Sequence, residues 1–120
     1  MKSDNIIKQK SFDFSVRIVR LYQHLSMQKK EFILSKKLLR SGTSVGANIH
    51  EALQGSSTKD LINKLSISLK EAHETEYWLK LITATNYLTS KEHISIEKDC
   101  IELIKILTSI IKTSKLKNND

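Results

Sequence analysis

No proline occurs anywhere in the 120 residues. Proline is the strongest helix breaker and a frequent turn residue, so its absence favours an all-helical chain with short connections. A lone cysteine, Cys100, excludes an intrachain disulfide and a cysteine-rich zinc site, and points to a reducing, cytoplasmic compartment. The chain does not open on a basic stretch followed by an apolar run, so no secretory signal is expected. No uncharged apolar run approaches the ~20 residues of a membrane span. Strand-like alternation of apolar and polar residues is missing as well. Of only three glycines, two, Gly42 and Gly46, fall in one run of small residues, 41–51.

What the chain does have is helical periodicity, which makes its modest apolar share of 39% sufficient for one folded domain over 1–120. Residues 1–10 are polar and are expected to fray. The first helix is expected over about 11–27, with Ser11 as cap and Phe14, Ile18, Leu21, Tyr22 and Leu25 on one face. The second is expected over about 31–54. Its apolar positions Leu34, Leu38, Val45, Ile49 and Leu53 stay in phase straight through residues 41–51, as a continuous helix requires and a loop would not. Glycine inside a helix costs about 1 kcal/mol relative to alanine. Gly42 and Gly46 therefore mark a face against which another helix, the third or a neighbouring subunit's, packs closely. Gly55 reads as a left-handed helix stop.

Ser57 caps a third helix over about 58–85, with Leu61, Leu65, Leu69, Ala72, Leu79 and Ile82 along one stripe and Asn86 as its left-handed end. Thr89 and Glu92 form a Thr-x-x-Glu capping box for a fourth helix over about 90–114, followed by a polar tail from Lys115. Four helices with short connections predict an all-α, antiparallel up-down-up-down four-helix bundle.

The net charge of +7 is unevenly placed. Residues 1–30 hold seven Lys and Arg against two Asp, whereas 61–90 are balanced. A basic excess favours polyanions, and Lys8, Lys10, Arg17, Arg20, Lys29 and Lys30 are the candidate phosphate contacts. The plainer explanation is a lysine-rich surface that keeps the protein soluble.

Catalytic signatures are scarce. A di-iron bundle needs Glu-x-x-His on two helices, and the chain has none; His24, His50, His73 and His93 are scattered over four helices. No glycine-rich phosphate loop follows a strand. Cys100 falls in a core stripe and reads as a structural thiol. No catalytic residue, metal or cofactor is therefore expected. One polar constellation stands out: Arg40, Ser44, Asn48 and Glu51 at 4, 4, 3 spacing on helix two, with Glu71 and Glu74 on helix three beside Thr75 and Trp78. It reads as a mostly buried, register-setting pairing in which Arg40 or Asn48 meets a glutamate. A ligand pocket among the same side chains is the alternative. Tyr77, Trp78 and Tyr87 near the end of helix three suggest a contact surface.

Two stretches carry a resemblance. Leu38-Leu39-Arg40-Ser41-Gly42-Thr43-Ser44-Val45-Gly46-Ala47-Asn48-Ile49-His50-Glu51-Ala52 resembles the signature of the 23S rRNA intervening-sequence proteins. Residues 64–79, from Lys64 to Leu79, resemble a second signature of that family, and the region of Leu88 and residues 104–115 also fit. Two features depart from the pattern: His50 stands where alanine is commonest, and Gly55 comes later than the usual glycine. The resemblance implies a four-helix bundle, a ring-shaped homopentamer and no established enzymatic activity. The accessory proteins of diversity-generating retroelements, which form pentameric barrels and bind nucleic acid and a reverse transcriptase, are related. Two functions are thereby expected: RNA or DNA binding by a basic homo-oligomer, or a ring-shaped scaffold that docks a protein partner.

Overall fold

The computed structural model describes residues 2–55 and 57–118. It has four helices: α1 (Lys2–Gln23), α2 (Leu34–Ala52), α3 (Thr58–Ala84) and α4 (Ser90–Asn118). A π-helical turn, His24–Gln28, extends α1. No strand occurs among the described residues, and none of the described helices is long and apolar enough to cross a membrane.

Three connections of five residues separate the helices. Five residues reach at most about 18 Å, whereas a helix of 19 to 29 residues runs roughly 28 to 43 Å, so each helix must start at the end where the previous one stopped. Side-chain contacts give the same direction. Ser41 meets Thr75 and Glu51 meets Lys64 across α2 and α3. Lys10 meets Glu102 and Arg17 meets Asp99 across α1 and α4. In each pair one number rises as the other falls, so the neighbours are antiparallel. The result is an up-down-up-down bundle measuring 51 × 21 × 21 Å.

The core runs the length of the rod. Ile7, Phe14, Ile18 and Leu25 enter it from α1 and the π turn, and Leu38, Val45 and Ile49 from α2. Leu65, Ala72, Leu79 and Ile82 enter from α3, and Ile96, Cys100, Leu103, Leu107 and Ile111 from α4. Burying each large aliphatic side chain contributes about 1.5–3 kcal/mol, which makes this stripe the dominant stabilising term.

Several boundaries differ from the sequence expectation. The first helix begins at Lys2 rather than near Ser11, because Ile7 falls on the same stripe as Phe14 and is fully buried. Ser11 lies inside the helix, buried, and donates to the Lys8 carbonyl rather than capping. The second helix begins at Leu34, not Glu31. Glu31 acts from outside it: its carboxylate accepts from the backbone N–H groups of Ser35 at 2.7 Å and Ile33 at 3.2 Å. Burial pushes that carboxyl up, but the N–H groups of Ser35, Leu34 and Ile33 outweigh it, leaving the group below its ordinary range. The fourth helix continues through the expected tail to Asn118, and Ser114 is still buried. The expected caps at Ser57, with the Asp60 N–H at 3.1 Å, and in the Thr89–Glu92 box are both formed. Asn86 is left-handed, with φ 72°.

Gly55 is not left-handed. The chain leaves α2 through a tightened turn in which the Gly55 N–H donates to the Ala52 carbonyl. A Cβ on Gly55 would sit 3.2 Å from that same oxygen, so the glycine answers a close approach rather than an unusual φ. The left-handed residue at the α1–α2 connection is instead Lys30, with φ 56°.

The small-residue run is the middle of α2, as its period requires. Within the chain its glycines face α1, not α3. A Cβ on Gly42 would lie 2.7 Å from Ile18 Cγ2, and one on Gly46 would lie 2.9 Å from Ser15 Oγ. Its serine side faces α3. Ser41 Oγ accepts from Thr75 Oγ1 at 3.0 Å, and Ser68 Oγ donates to the Val45 carbonyl at 2.7 Å, all of it buried. Small side chains thus bring α2 close to both neighbours at once.

Candidate nucleic-acid interface

The bundle sorts the six candidate cations into separate places. Lys10 and Arg17 point toward α4. Lys10 Nζ is 2.8 Å from Glu102, whose hydrogen bond and charge hold the ammonium above its usual pKa. Arg17 Nη1 is 2.7 Å from Asp99, and its guanidinium also donates to the Ser95 carbonyl and hydroxyl. These two charges tie the first helix to the last. Lys8 is exposed on the other side of α1, on the rim of a groove shared with α2.

Arg20, Lys29 and Lys30 remain together at the end of the bundle where α1 gives way to α2. None forms an ion pair among the described residues, and all three are exposed. The antiparallel order brings the start of α4 to this same end. Lys91 therefore lies at this end too, and with Arg20, Glu92 and the imidazole of His24 it lines a cleft of about 460 Å³ between α1 and α4. The charge of Lys29 and His24 reaches Glu92, although the Thr89 N–H and hydroxyl do most to keep that carboxyl below its usual range. Lys91 and His24 were not among the sequence candidates. Lys91 lies inside the Thr89–Glu92 capping box, and the up-down topology already implies that this box meets the end of helix one.

One strip along the outward side of α1 is itself uncharged, with Lys8, Asp13 and Arg20 at its edges. Asn5, Gln9, Phe12, Val16, Val19 and Gln23 follow one another at 4, 3, 4, 3, 4 spacing, and all are exposed, Phe12 by 65%. Beside them, Phe12 and Ser15 form a groove with Gly46 and Ala47 of α2. An apolar strip flanked by uncharged amides has the composition of a contact surface. The connection from α1 to α2 adds Met27, Phe32 and Ile33, exposed by 68%, 52% and 70%.

The polar constellation on α2 and α3 is mostly an edge feature, with Glu71, its side chain 14% exposed, as the inner end. Arg40, 58% exposed, reaches Glu71 at 3.1 Å and Glu74 at 2.5 Å. Glu74 also accepts from Trp78 Nε1 at 3.2 Å; that bond, with the Arg40 charge, holds its carboxyl low against burial. Lys37 sits 5.6 Å over the Trp78 ring, and Tyr77 meets Trp78 edge to face. Ser44 and Asn48 turn back on their own helix, donating to the carbonyls of Arg40 and Ser44. Asn48 therefore meets no glutamate. Glu51 reaches Lys64 at 3.5 Å. Arg40 and Glu51 are the members that join the two helices, Arg40 through Glu71 and Glu74 and Glu51 through Lys64. Trp78 and Tyr87 both pack partly buried against the core, whereas Tyr77 is 58% exposed, so the expected aromatic group is only partly a surface one.

Among the described residues no three His, Cys, Asp or Glu come together in a metal-binding group. The Cys100 thiol lies against the Ala72 carbonyl at 3.4 Å, and burial pushes its pKa up to about 12, so the nucleophilic thiolate is suppressed.

Comparison with known proteins fits this architecture. Among curated proteins none matches the chain. Of solved structures, a protein of unknown function from the S23 ribosomal protein family of Bacteroides thetaiotaomicron VPI-5482 is 56% identical. It superposes with a TM-score of 0.90 over 92% of this chain and 98% of its own. The family model described as 23S rRNA-intervening sequence protein matches residues 3–109. With nearly the whole bundle inside that match, the chain belongs to the 23S rRNA-intervening sequence protein family.

Proposed function

We propose that this protein is a non-enzymatic, cytoplasmic homo-oligomer that binds RNA, ribosomal RNA foremost, through the cationic end of its bundle. One observation carries the reading. Arg20, Lys29, Lys30 and Lys91 come from three segments to one end of the bundle and form no ion pair among the described residues, although Lys29 lies within reach of the Glu92 charge, whereas Lys10 and Arg17 are neutralised. Unpaired, exposed cations in one place are what a phosphate backbone uses. The charge-poor strip of Phe12, Val16 and Val19 supports self-association, and the family resemblance favours a pentamer.

The test is a titration of labelled RNA at several salt concentrations. About four phosphate contacts per protomer give a slope of log K against log salt of about −3. Absent binding at low salt, or binding indifferent to salt, overturns the reading. Light scattering should report about five times the 13.8 kDa chain mass, and a monomer would refute the assembly. A second reading, a ring-shaped scaffold docking a protein such as a reverse transcriptase, is favoured by the exposed Met27, Phe32 and Ile33 beside the cations. A stoichiometric protein partner that survives nuclease treatment would select it.

A further inference from the structure

We infer that the cleft between the end of α1 and the start of α4 seats one splayed-out nucleotide of a single-stranded RNA, its phosphate on Arg20 and Lys91 and its base against an apolar floor. The inference rests on the RNA reading and narrows it to strand type. The cleft, about 460 Å³, lies within the roughly 300–1,000 Å³ of small-molecule sites. Leu21, Leu88 and Ile96 form its floor. A duplex presents only phosphate and sugar to such a surface, because its bases are stacked inside, so it cannot use the floor. A single strand can turn a base outward and cover it.

The charges on the wall allow this arrangement. Arg17 is matched by Asp99 and so serves as framework, while Arg20 and Lys91 form no ion pair among the described residues. Glu92 is the anion on the wall. Its Oε1 accepts from the Thr89 N–H at 2.9 Å, so that carboxylate is anchored in the turn at the start of α4. An ionised carboxylate repels phosphate but accepts from a base N–H, which directs the phosphate to the Arg20 side and the base edge to the Glu92 side. The His24 imidazole completes the rim.

The experiment compares a single-stranded RNA of about fifteen nucleotides with the blunt duplex of the same sequence, by anisotropy on the full chain at two salt concentrations. The expected result is tighter binding of the single strand. Leu21→Ser, at a half-buried position, should remove that preference while leaving duplex binding unchanged. Arg20→Gln should weaken single-strand binding roughly fivefold more than Lys112→Gln, an exposed cation near the opposite end of the rod. Circular dichroism establishes that each variant is folded; should Leu21→Ser not fold, Arg20→Gln decides alone. Equal, salt-sensitive affinity for both RNAs overturns this inference and leaves RNA binding standing. A preference untouched by the foldable variants also overturns it. Binding of neither RNA overturns both.

Discussion

Replacing Gly42 by alanine should destabilise the protein, although alanine is the better helix former. On propensity alone the change gains about 1 kcal/mol. Against it stands Ile18: the new Cβ would lie 2.7, 2.8 and 3.0 Å from Cγ2, Cγ1 and Cδ1 of that side chain. Ordinary contact begins near 3.4 Å, so the shortfalls on the three atoms are about 0.7, 0.6 and 0.4 Å. Ile18 cannot swing aside, because a β-branched side chain has one favoured rotamer in a helix and this one is fully buried. Overpacking of this kind costs about 1–3 kcal/mol, which leaves a net loss of up to about 2 kcal/mol. The sign should reverse when the obstacle is removed. In an Ile18→Ala background, itself costing about 2–5 kcal/mol, Gly42→Ala meets open space and should stabilise by about 1 kcal/mol. Urea denaturation followed at 222 nm, at one fixed protein concentration because self-association would shift the midpoint, gives all four corners of the cycle. Gly42→Ala stabilising the otherwise unchanged protein would refute the close approach of α1 and α2.

Two further outcomes follow from buried and capping groups. Cys100 should not react with a thiol reagent at pH 8 while the protein is folded, and should titrate as one thiol per chain once unfolded; rapid labelling of the native state would show the core around it to be open. Glu31, whose carboxyl is depressed in the fold, contributes stability that is present above its unfolded value near 4.5 and is lost as pH falls through the folded value. Glu31→Gln should therefore cost about 1 kcal/mol at pH 7 and show a shallower acid decline, and parallel curves for the two proteins would contradict the capping role.

The helices themselves were legible because their apolar spacing holds even across the glycines of α2. The caps at Ser57 and at Thr89 with Glu92 were legible because each is a local pattern. What escaped is what depends on a partner distant in sequence. Ser11 has the chemistry of a cap, yet its hydroxyl can satisfy itself on the Lys8 carbonyl and stay buried mid-helix. Lys30 carries the left-handed turn, and nothing about a lysine signals that conformation. The orientation of the small-residue run was open for the same reason: glycine shows that something approaches, not which helix does. Charge was hardest to read. Counting cations by segment put seven in residues 1–30, but only the pairing of α1 with α4 separates Lys10 and Arg17 from Arg20 and Lys29.

The ion pairs between α1 and α4 join the first helix to the last, and with an even number of antiparallel helices the start of α1 at Lys2 and the end of α4 at Asn118 lie at one pole of the rod. The cationic cleft lies at the other, near the turns at 29–33 and 85–89. At about 1.5 Å per residue the start of α1 lies roughly 30 Å along the rod from Leu21, and the end of α4 roughly 40 Å from Lys91, so a label at that pole stays well clear of the proposed RNA surface. The same adjacency suits the bundle to circular permutation: a short bridge from Asn118 back to Lys2, with new ends opened at 53–57, would keep every helix and the two charge pairs of α1 with α4 intact.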